Sequence, residues 1–420
     1  MMTNRSRRWL AVIAVFVFAA SWGNVPLHAQ DPSAPFFDDA NLHEVRLLIN
    51  SKDWEILKAQ YLEDTYYPAD FQWGTIVVHN VGIRSRGTGS RSGTKPGLRV
   101  DFDKYSTSQK FLGLKSFVLR NNTQDASNLH EPLAMALFRR MGMPAPREAM
   151  TKLYINNDYV GLYTIVEAID HVFLDRNFGE HGGNLYEYSY KPTDPAYYFE
   201  YRGPDPASYV PQPFKPETNE NDPKAQIFER LAWTINSIAD PLFATAVAEY
   251  MDVVAFLRHV AGEVCVADQD GMLGNWGMNN YYAYRSALRP ALTPIAWDKS
   301  NAFIDGPTYP IFHNITDVPP ELRNRLFVRL MAYASFKTFY LDTLTQCAQM
   351  IAEVPPGDTR SQLEIEVVRL ADQIRAAVYA DTVKQYTNAQ FEQEVAWLVA
   401  FAQARPANLA AQVAQAAAGP

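Results

Sequence analysis

The chain has 420 residues, of which 47% are hydrophobic and 20% are charged, as is ordinary for a globular protein. This length allows a large buried core and two lobes or domains. The net charge of −8 argues against a general nucleic-acid binder, because such proteins carry a basic surface.

The N-terminus has the pattern of a secretory signal peptide. Residues 1–8 are basic and residues 9–20 are apolar, and Ala29 is a small residue at a suitable cleavage point. The apolar run is shorter than the roughly 18 residues that a membrane span needs, so an uncleaved anchor is the weaker alternative. We therefore expect a signal peptide over residues 1–29, a mobile segment over 30–42, and a secreted, periplasmic or cell-surface protein with no integral membrane segment after cleavage.

The first chemically informative segment covers residues 84–102. It follows predicted strands at 43–49 and 74–80 and a predicted helix at 53–63, and it reads as a strand, a loop rich in glycine and hydroxyl groups, and a second strand. Its glycines let backbone amides approach an anion. Its cations are Arg84, Arg86, Arg91, Lys95 and Arg99. A hairpin that binds phosphate and a merely exposed basic hairpin explain this segment equally well.

Glu167 ends the next predicted hairpin, whose strands cover residues 152–155 and 161–166. Before this hairpin, apolar residues at helical spacing predict a helix over 129–141. Because Glu167 follows an apolar stretch, we expect it to be partly buried and to need a cationic partner, for which the glycine-rich segment supplies candidates. Residues 190–224 lack periodicity and read either as a variable loop or as the entrance to a substrate site.

An acidic loop and two further strands form the strongest candidate site. Helical periodicity returns at residues 227–238, 241–250 and 251–266. The last helix leads to Asp268 and Asp270, and the two strands that follow are flanked by Asn279, Asn280 and Asp298. Carboxylates and amides that converge at the ends of a hairpin suit a hard divalent cation. The choices between Asp268 and Asp270, and between Asn279 and Asn280, stay open.

The remainder of the chain reads as helical from residue 319, and we expect no catalytic role there. The Ala-rich end is expected to fray from Pro406, with residues 412–420 as a tail. Cys265 and Cys347 are the two cysteines of the sequence and both lie in apolar surroundings. They are either a disulfide of an exported protein or two inert buried thiols.

Over residues 43–411 the sequence resembles the CotH kinase family, which is named for spore coat protein H. The resemblance consists of short motifs that are weak individually but occur in a specific order and spacing. They comprise Arg86, Gly87, Ser90, Lys95 and Arg99; Asp125 and Ser127; Gly161, Tyr163 and Glu167; Gly183, Leu185 and Tyr186; Asp270, Gly271, Asn280 and Tyr284; and Trp297 with Asp298.

The resemblance implies an α+β, protein-kinase-like fold with two lobes. The β-rich N-lobe would cover about 43–190 and the mostly helical C-lobe about 225–411. It also implies a secreted atypical kinase that uses ATP and Mg²⁺ to phosphorylate Ser or Thr of a protein, with no nucleic-acid partner. The implied roles are a catalytic Asp270, a metal site of Asn280 and Asp298, and a phosphate-binding set of Arg84, Arg86, Ser90, Lys95 and Arg99, with Glu167 orienting a cation.

Three departures from the family pattern point to alternatives. Pro96 replaces a second lysine, Asp101 stands where a basic residue is frequent, and Ser300 stands where a second carboxylate is common. A catalytically degenerate structural or surface-assembly protein is therefore one alternative. Independently of these departures, a nucleotidyl transferase on the same fold is a further alternative, which the sequence does not distinguish from a kinase.

Overall fold

The computed structural model describes residues 31–189, 195–275 and 277–418. The predicted signal peptide lies outside the described residues. Within them the chain is mixed α+β, as expected, and consists of a barrel, a second sheet and a set of helices that follows both. From Ser33 onward the described chain forms one compact unit.

Seven strands close into a barrel between residues 31 and 189. Neighbouring strands follow the order β1-β2-β3-β4-β5-β7-β6, and β6 returns to pair with β1 in parallel. Alternating burial along β1 shows one face turned to the interior. The strands are β1 (His43–Ile49), β2 (Tyr67–Trp73), β3 (Ile76–Ser85), β4 (Leu98–Asp101), β5 (Ser116–Arg120), β6 (Glu148–Ile155) and β7 (Asp158–Glu167).

Two residues of the predicted mobile segment, Phe36 and Phe37, instead belong to the barrel core. Ala34–Phe37 forms a short 3₁₀ helix, and Phe36 is fully buried. Its ring packs edge-on against Phe71, Phe111 and Phe117 at centroid distances of 6.2, 5.0 and 5.0 Å. The prediction for residues 30–42 is therefore wrong for Ala34–Phe37, because the neighbouring prolines suggest a loop but the Phe36 ring packs inside the barrel.

The predicted second hairpin is present, but its turn is shorter than the predicted interval between residues 155 and 161. Asn156 and Asn157 connect β6 to β7 with φ values of 51° and 72°. Asparagine tolerates this left-handed conformation better than other residues with a side chain, which makes two successive asparagines a good two-residue turn.

The second sheet has the order β11-β10-β8-β9, and its pairs are antiparallel. Its strands are β8 (Asn184–Tyr188), β9 (Phe214–Pro216), β10 (Tyr281–Arg285) and β11 (Leu292–Ala296). The helices are α1 (Ser51–Ala59), α2 (His130–Arg140), α3 (His171–Phe178), α4 (Gln226–Ser237), α5 (Asp240–Val247), α6 (Val253–Cys265), α7 (His313–Thr316), α8 (Arg325–Met331), α9 (Ala334–Ala352), α10 (Gln362–Ala380) and α11 (Asn388–Ala417).

The C-terminal helix does not fray at Pro406. α11 continues through this proline to Ala417, and Leu409 beyond it is fully buried. The prediction of a fraying tail is thus wrong, since apolar contacts hold the last turns. Cys265 of α6 and Cys347 of α9 form a disulfide, which resolves the alternatives for the two cysteines.

Hydrophobic side chains form two large cores. One fills the barrel, and the other joins α2 to the helices and the second sheet of the later chain. The division into an N-lobe and a C-lobe near residues 190–225 remains a prediction. Among the residues that the structure describes, no helix is long and apolar enough to cross a membrane.

Candidate active site

Asp270 and the two ends of the β10–β11 hairpin lie together. Asn280 precedes β10 and Asp298 follows β11, and Trp297 N donates to Asn280 O at 3.2 Å. The left-handed backbone of Asn280 and Asp298, with φ of 56° and 46°, turns the chain at both points. Asn280 Nδ2 donates to Asp270 O and Oδ2, each at 2.9 Å. The structure therefore brings Asp270 and Asn280 into direct contact near Asp298, whose charge acts on Asp270.

Three amide side chains hold the Asp270 carboxylate. Asn279 Nδ2 donates to Oδ1 at 3.0 Å, while Asn280 and Asn301 donate to Oδ2 at 2.9 and 2.8 Å. Burial raises the pKa of Asp270, and the bonds from Asn279 and Asn301 oppose this rise. Within the described chain no donor reaches the amide oxygens of these asparagines. From the described residues Oδ1 of Asp270 accepts one hydrogen bond, so it retains the capacity to accept another.

Asp298 is held as an anion by a buried arginine. Arg120 Nη1 lies 2.7 Å from Asp298 Oδ2, and Ser300 Oγ donates to Asp298 Oδ1 at 2.9 Å. Burial opposes ionisation, but Arg120 lowers the pKa of Asp298 below its ordinary value. The Asp298 side chain is 24% exposed, so a cation can still approach it. Ser300, which stands at the position of the missing second acid, orients this remaining carboxylate.

Asp268 belongs to a fully buried ion cluster rather than to the open site. Lys299 Nζ lies 2.9 Å from Asp268 Oδ2 and 2.7 Å from Glu263 Oε1. Burial raises the pKa of Asp268 to about 6. The Met272 N–H is shared between Oε1 and Oε2 of Glu263, at 3.1 and 2.9 Å, and a Cβ at Gly271 would clash with the same carboxylate. The buried ion cluster fixes the loop around Asp270. Of the two carboxylates in this loop, Asp270 is more accessible than Asp268.

A cleft of about 620 Å³ adjoins Trp297, the residue before Asp298. This volume is in the range of small-molecule sites. Its lining combines cations, aromatic rings and apolar groups and contains Arg86, Arg99, Lys110, Lys115, Val118, Ala168, Ile169, Asp170, His171, His181, Leu185, Glu217, Thr218, Tyr282 and Trp297. Glu217 and Thr218 come from the irregular segment at 190–224, which therefore contributes to this cleft.

Arg86 and Arg99 are the predicted phosphate-binding residues that line the cleft. Arg86 lies over the Trp297 ring at 5.4 Å, and no carboxylate in the described ranges forms an ion pair with it. Burial and the nearby charge of Arg120 lower the pKa of Arg86. Arg99 Nε lies 3.0 Å from Asp101 Oδ2. Asp101 is therefore paired with a cation at the edge of the cleft, which reduces the repulsion of phosphate expected from it.

Arg84, Ser90 and Lys95 are not among the residues that line this cleft. Arg84 Nη1 pairs with the exposed Asp64 at 2.8 Å, and Ser90 Oγ packs over Gly87. Lys95 Nζ lies 2.7 Å from Asp381 Oδ2, and both side chains are 1% exposed. In the structure the Lys95 ammonium binds Asp381 at the end of α10, because a buried charge needs an opposite charge close by, and the phosphate role of Lys95 stays a prediction.

Glu167 is buried and paired with cations, as expected, but the partners differ from those predicted. Its carboxylate binds Arg147 Nη2 at 2.7 Å and also contacts Arg176 Nη2. Arg147 N donates to Glu167 Oε2 at 3.0 Å as well. The cations therefore come from the chain before β6 and from α3, and not from the glycine-rich segment.

Sequence reasoning missed three residues of the site. Asn301 donates to Asp270, and Arg120 forms an ion pair with Asp298. Lys299 forms ion pairs with Glu263 and Asp268 and so holds the loop that carries Asp270. Asn301 lies three residues after Asp298, so extending the polar cluster past Ser300 would have found it. Lys299 and Arg120 carry no local signal, because their partners lie far away in the sequence.

Comparisons with known proteins agree with the motif resemblance. The family model described as CotH kinase protein matches residues 83–409. The inner spore coat protein H of Bacillus subtilis (strain 168) is 22% identical over 361 residues, covering 85% of this chain and 93% of the relative.

Among solved structures, a chain from the Shewanella oneidensis MR-1 toxin–antitoxin complex of HipA, HipB and operator DNA has a TM-score of 0.38 and 13% identity. The alignment covers 88% of this chain and 73% of that one, a likeness too weak to support an argument. Unlike this structural likeness, the match to the family model covers most of the described residues and is sufficient to assign the family. The chain therefore belongs to the CotH kinase protein family.

Proposed function

We propose that this protein transfers the γ-phosphoryl group of ATP to a serine or threonine hydroxyl of another protein outside the cytoplasm. The observation that carries the proposal is the position of Asp270, which three amides hold beside Asp298 near the cationic cleft. Phosphoryl transfer depends on positioning and charge neutralisation rather than covalent chemistry, and this arrangement suits that demand.

The residues around Asp298 fit a magnesium ion in their chemistry. Mg²⁺ is commonly held by one or two carboxylates together with substrate phosphates. Asp298 supplies one carboxylate, and the amide oxygens of Asn280 and Asn301 are hard neutral ligands nearby. When bound, Mg²⁺ neutralises charge on the phosphates. No set of three His, Cys, Asp or Glu residues suited to a metal occurs in the described chain, so this site would depend on the nucleotide.

The other residues divide the remaining tasks. Asp270 Oδ1 accepts a hydrogen bond from the serine or threonine hydroxyl of the substrate and orients it. Oδ1 takes this role because Asn280 and Asn301 already donate to Oδ2, whereas Oδ1 accepts from Asn279 alone among the described residues. Arg86 and Arg99 bind phosphate oxygens along the cleft. Tyr282 and Trp297 supply aromatic surface in the same cleft.

Labelled ATP tests this function directly. The full chain with Mg²⁺ and γ-labelled ATP should label itself or a Ser-rich peptide. Asp270→Asn and Asp298→Asn should each reduce labelling at least about a hundredfold, since each removes a charge at the reacting centre. Asp372→Asn is the matched control, because Asp372 is an exposed carboxylate on α10 and should not matter. Unchanged labelling in both site variants would reject the proposal.

A surface-assembly protein without catalysis is the second candidate. It is favoured by the pairing of Lys95 with Asp381, which withdraws one expected phosphate ligand, and by the name of the Bacillus relative. Calorimetry separates the two: no heat at millimolar ATP and Mg²⁺ supports the assembly role. Intact mass of a labelled product distinguishes an added phosphate from an added nucleotide. The predicted signal peptide and the spore-coat relative support a location at the cell surface.

A further inference from the structure

Arg405 of α11 is fully buried, and among the described residues its guanidinium donates to backbone carbonyls alone. Its Nε and Nη2 donate to Cys265 O and Val264 O at 3.1 and 2.5 Å. Its Nη1 donates to Pro307 O and Tyr309 O at 2.9 and 2.8 Å. In the described ranges no carboxylate forms an ion pair with it. Burial lowers the pKa of Arg405 to about 10, so it remains protonated at neutral pH.

The first pair of carbonyls belongs to the end of α6. The last carbonyls of a helix lack intrahelical partners and carry partial negative charge, which favours a cation there. Arg405 supplies this cation to Val264 and Cys265. The chain then continues within a few residues to Asp268 and Asp270, so the guanidinium anchors the base of the loop that carries Asp270.

The second pair belongs to the segment between Asp298 and α7. Besides Arg405, Gln412 of α11 holds this segment: its Oε1 accepts from Ile311 N at 3.0 Å and its Nε2 donates to Tyr309 O at 3.3 Å. Phe303 N donates to Val266 O at 2.6 Å, which joins the segment to the end of α6. α11 therefore contacts both of the chain segments that carry the candidate site.

We propose that Arg405 is a positioning residue, which keeps the Asp270 loop and the segment after Asp298 in one fixed arrangement. The inference rests on the proposed phosphoryl transfer and adds a residue that touches neither nucleotide nor acceptor. The planar guanidinium presents five donors in a rigid fork and can bind carbonyls of two segments at once. A lysine ammonium carries three donors on one atom and cannot reproduce this geometry.

Two variants of the full chain separate positioning from general stability. Arg405→Lys removes the fork, whereas Leu409→Ala truncates a fully buried side chain of the same helix and leaves all four hydrogen bonds in place. For Arg405→Lys we expect kcat to fall at least about tenfold, since small misplacements of reacting groups are costly. KM for ATP should stay within about threefold, because Arg86 and Arg99 lie near or on barrel strands. An equal fall of kcat in Leu409→Ala would overturn the inference.

Hydrogen exchange gives a readout that does not need activity. Amides of residues 264–272 and 301–311 should both exchange faster in Arg405→Lys than in Leu409→Ala. Equal exchange in the two variants overturns the inference about Arg405, whether or not the wild type is active. If the wild type transfers no phosphoryl group, that result rejects the proposed function and not the inference about Arg405. If Arg405→Lys does not fold, Gln412→Ala takes its place and should lower kcat and speed hydrogen exchange at residues 301–311. The inference is overturned if both quantities stay at their wild-type values.

Discussion

The buried pair of Lys95 and Asp381 allows a direct test of what Lys95 does. A phosphate ligand should affect nucleotide binding, whereas a tether between the glycine-rich segment and α10 should affect stability. Removing one member of a buried ion pair costs about 3–5 kcal/mol, because the other charge stays buried without compensation. Both side chains are 1% exposed with 2.7 Å between Nζ and Oδ2, so this range applies here.

The surroundings of the pair predict unequal costs for its two members. Asp381 also accepts from the backbone N–H groups of Leu162, Val383 and Lys384, each at 3.0 Å. After Lys95→Met the carboxylate keeps these donors, so we expect a loss near 3 kcal/mol in the free energy of unfolding. Lys95 Nζ has no second hydrogen-bond acceptor in the described chain, and Asp381→Ala also strands the three N–H groups. We expect a loss near 5 kcal/mol there.

Urea unfolding at neutral pH measures both losses, and calorimetry measures ATP binding. Lys95→Met should bind ATP and Mg²⁺ within about twofold of the wild type, whereas Arg86→Met should weaken binding at least about tenfold with little loss of stability. Wild-type stability together with weakened nucleotide binding in Lys95→Met would refute the tether and restore the phosphate role.

Three further predictions concern stability. Replacing Cys265 and Cys347 with alanine opens a loop of 82 residues and should cost about 4.5 kcal/mol of unfolding free energy by the chain-entropy relation, measured by urea unfolding. Burial raises the pKa of Glu131 from 4.5 to about 7. As the pH rises, the Glu131 carboxyl therefore loses its proton at a lower pH in the unfolded chain than in the folded chain. Glu131 should therefore contribute a loss of about 3 kcal/mol between pH 4.5 and about 7, and in urea titrations the wild type should lose about that much more than Glu131→Gln across this range. Phe36→Ala should cost about 3–5 kcal/mol by the same method, and a loss below about 1 kcal/mol would contradict its place in the barrel core.

Elements with a local signal could be predicted from the sequence. The apolar spacing over residues 129–141 agrees with α2, and the two asparagines at 156 and 157 form the expected turn. The acidic loop and the ends of the β10–β11 hairpin meet as expected, since strand pairing places these ends together. In each case the information lies within one turn or one hairpin of sequence.

Partners of buried charges could not be predicted in this way. Lys95 and Asp381 are 286 residues apart, and Arg405 and Cys265 are 140 apart. A sequence pattern shows that a buried charge needs a partner but not which one, because the choice is made by the packing of distant elements. Phe36 illustrates the same limit for an apolar residue, since its short segment has no periodicity of its own.

The parallel pairing of β1 with β6 has a consequence for how fast this protein folds. It joins His43 to Thr151 and Leu47 to Ile155, residues roughly a hundred positions apart, whereas the antiparallel pairs β2–β3 and β6–β7 form across short turns. Pairing β1 with β6 closes a long loop, and the loss of chain entropy in this step opposes closure of the barrel. Until β1 pairs with β6, each of these strands has one unpaired edge, and unpaired strand edges favour association between chains.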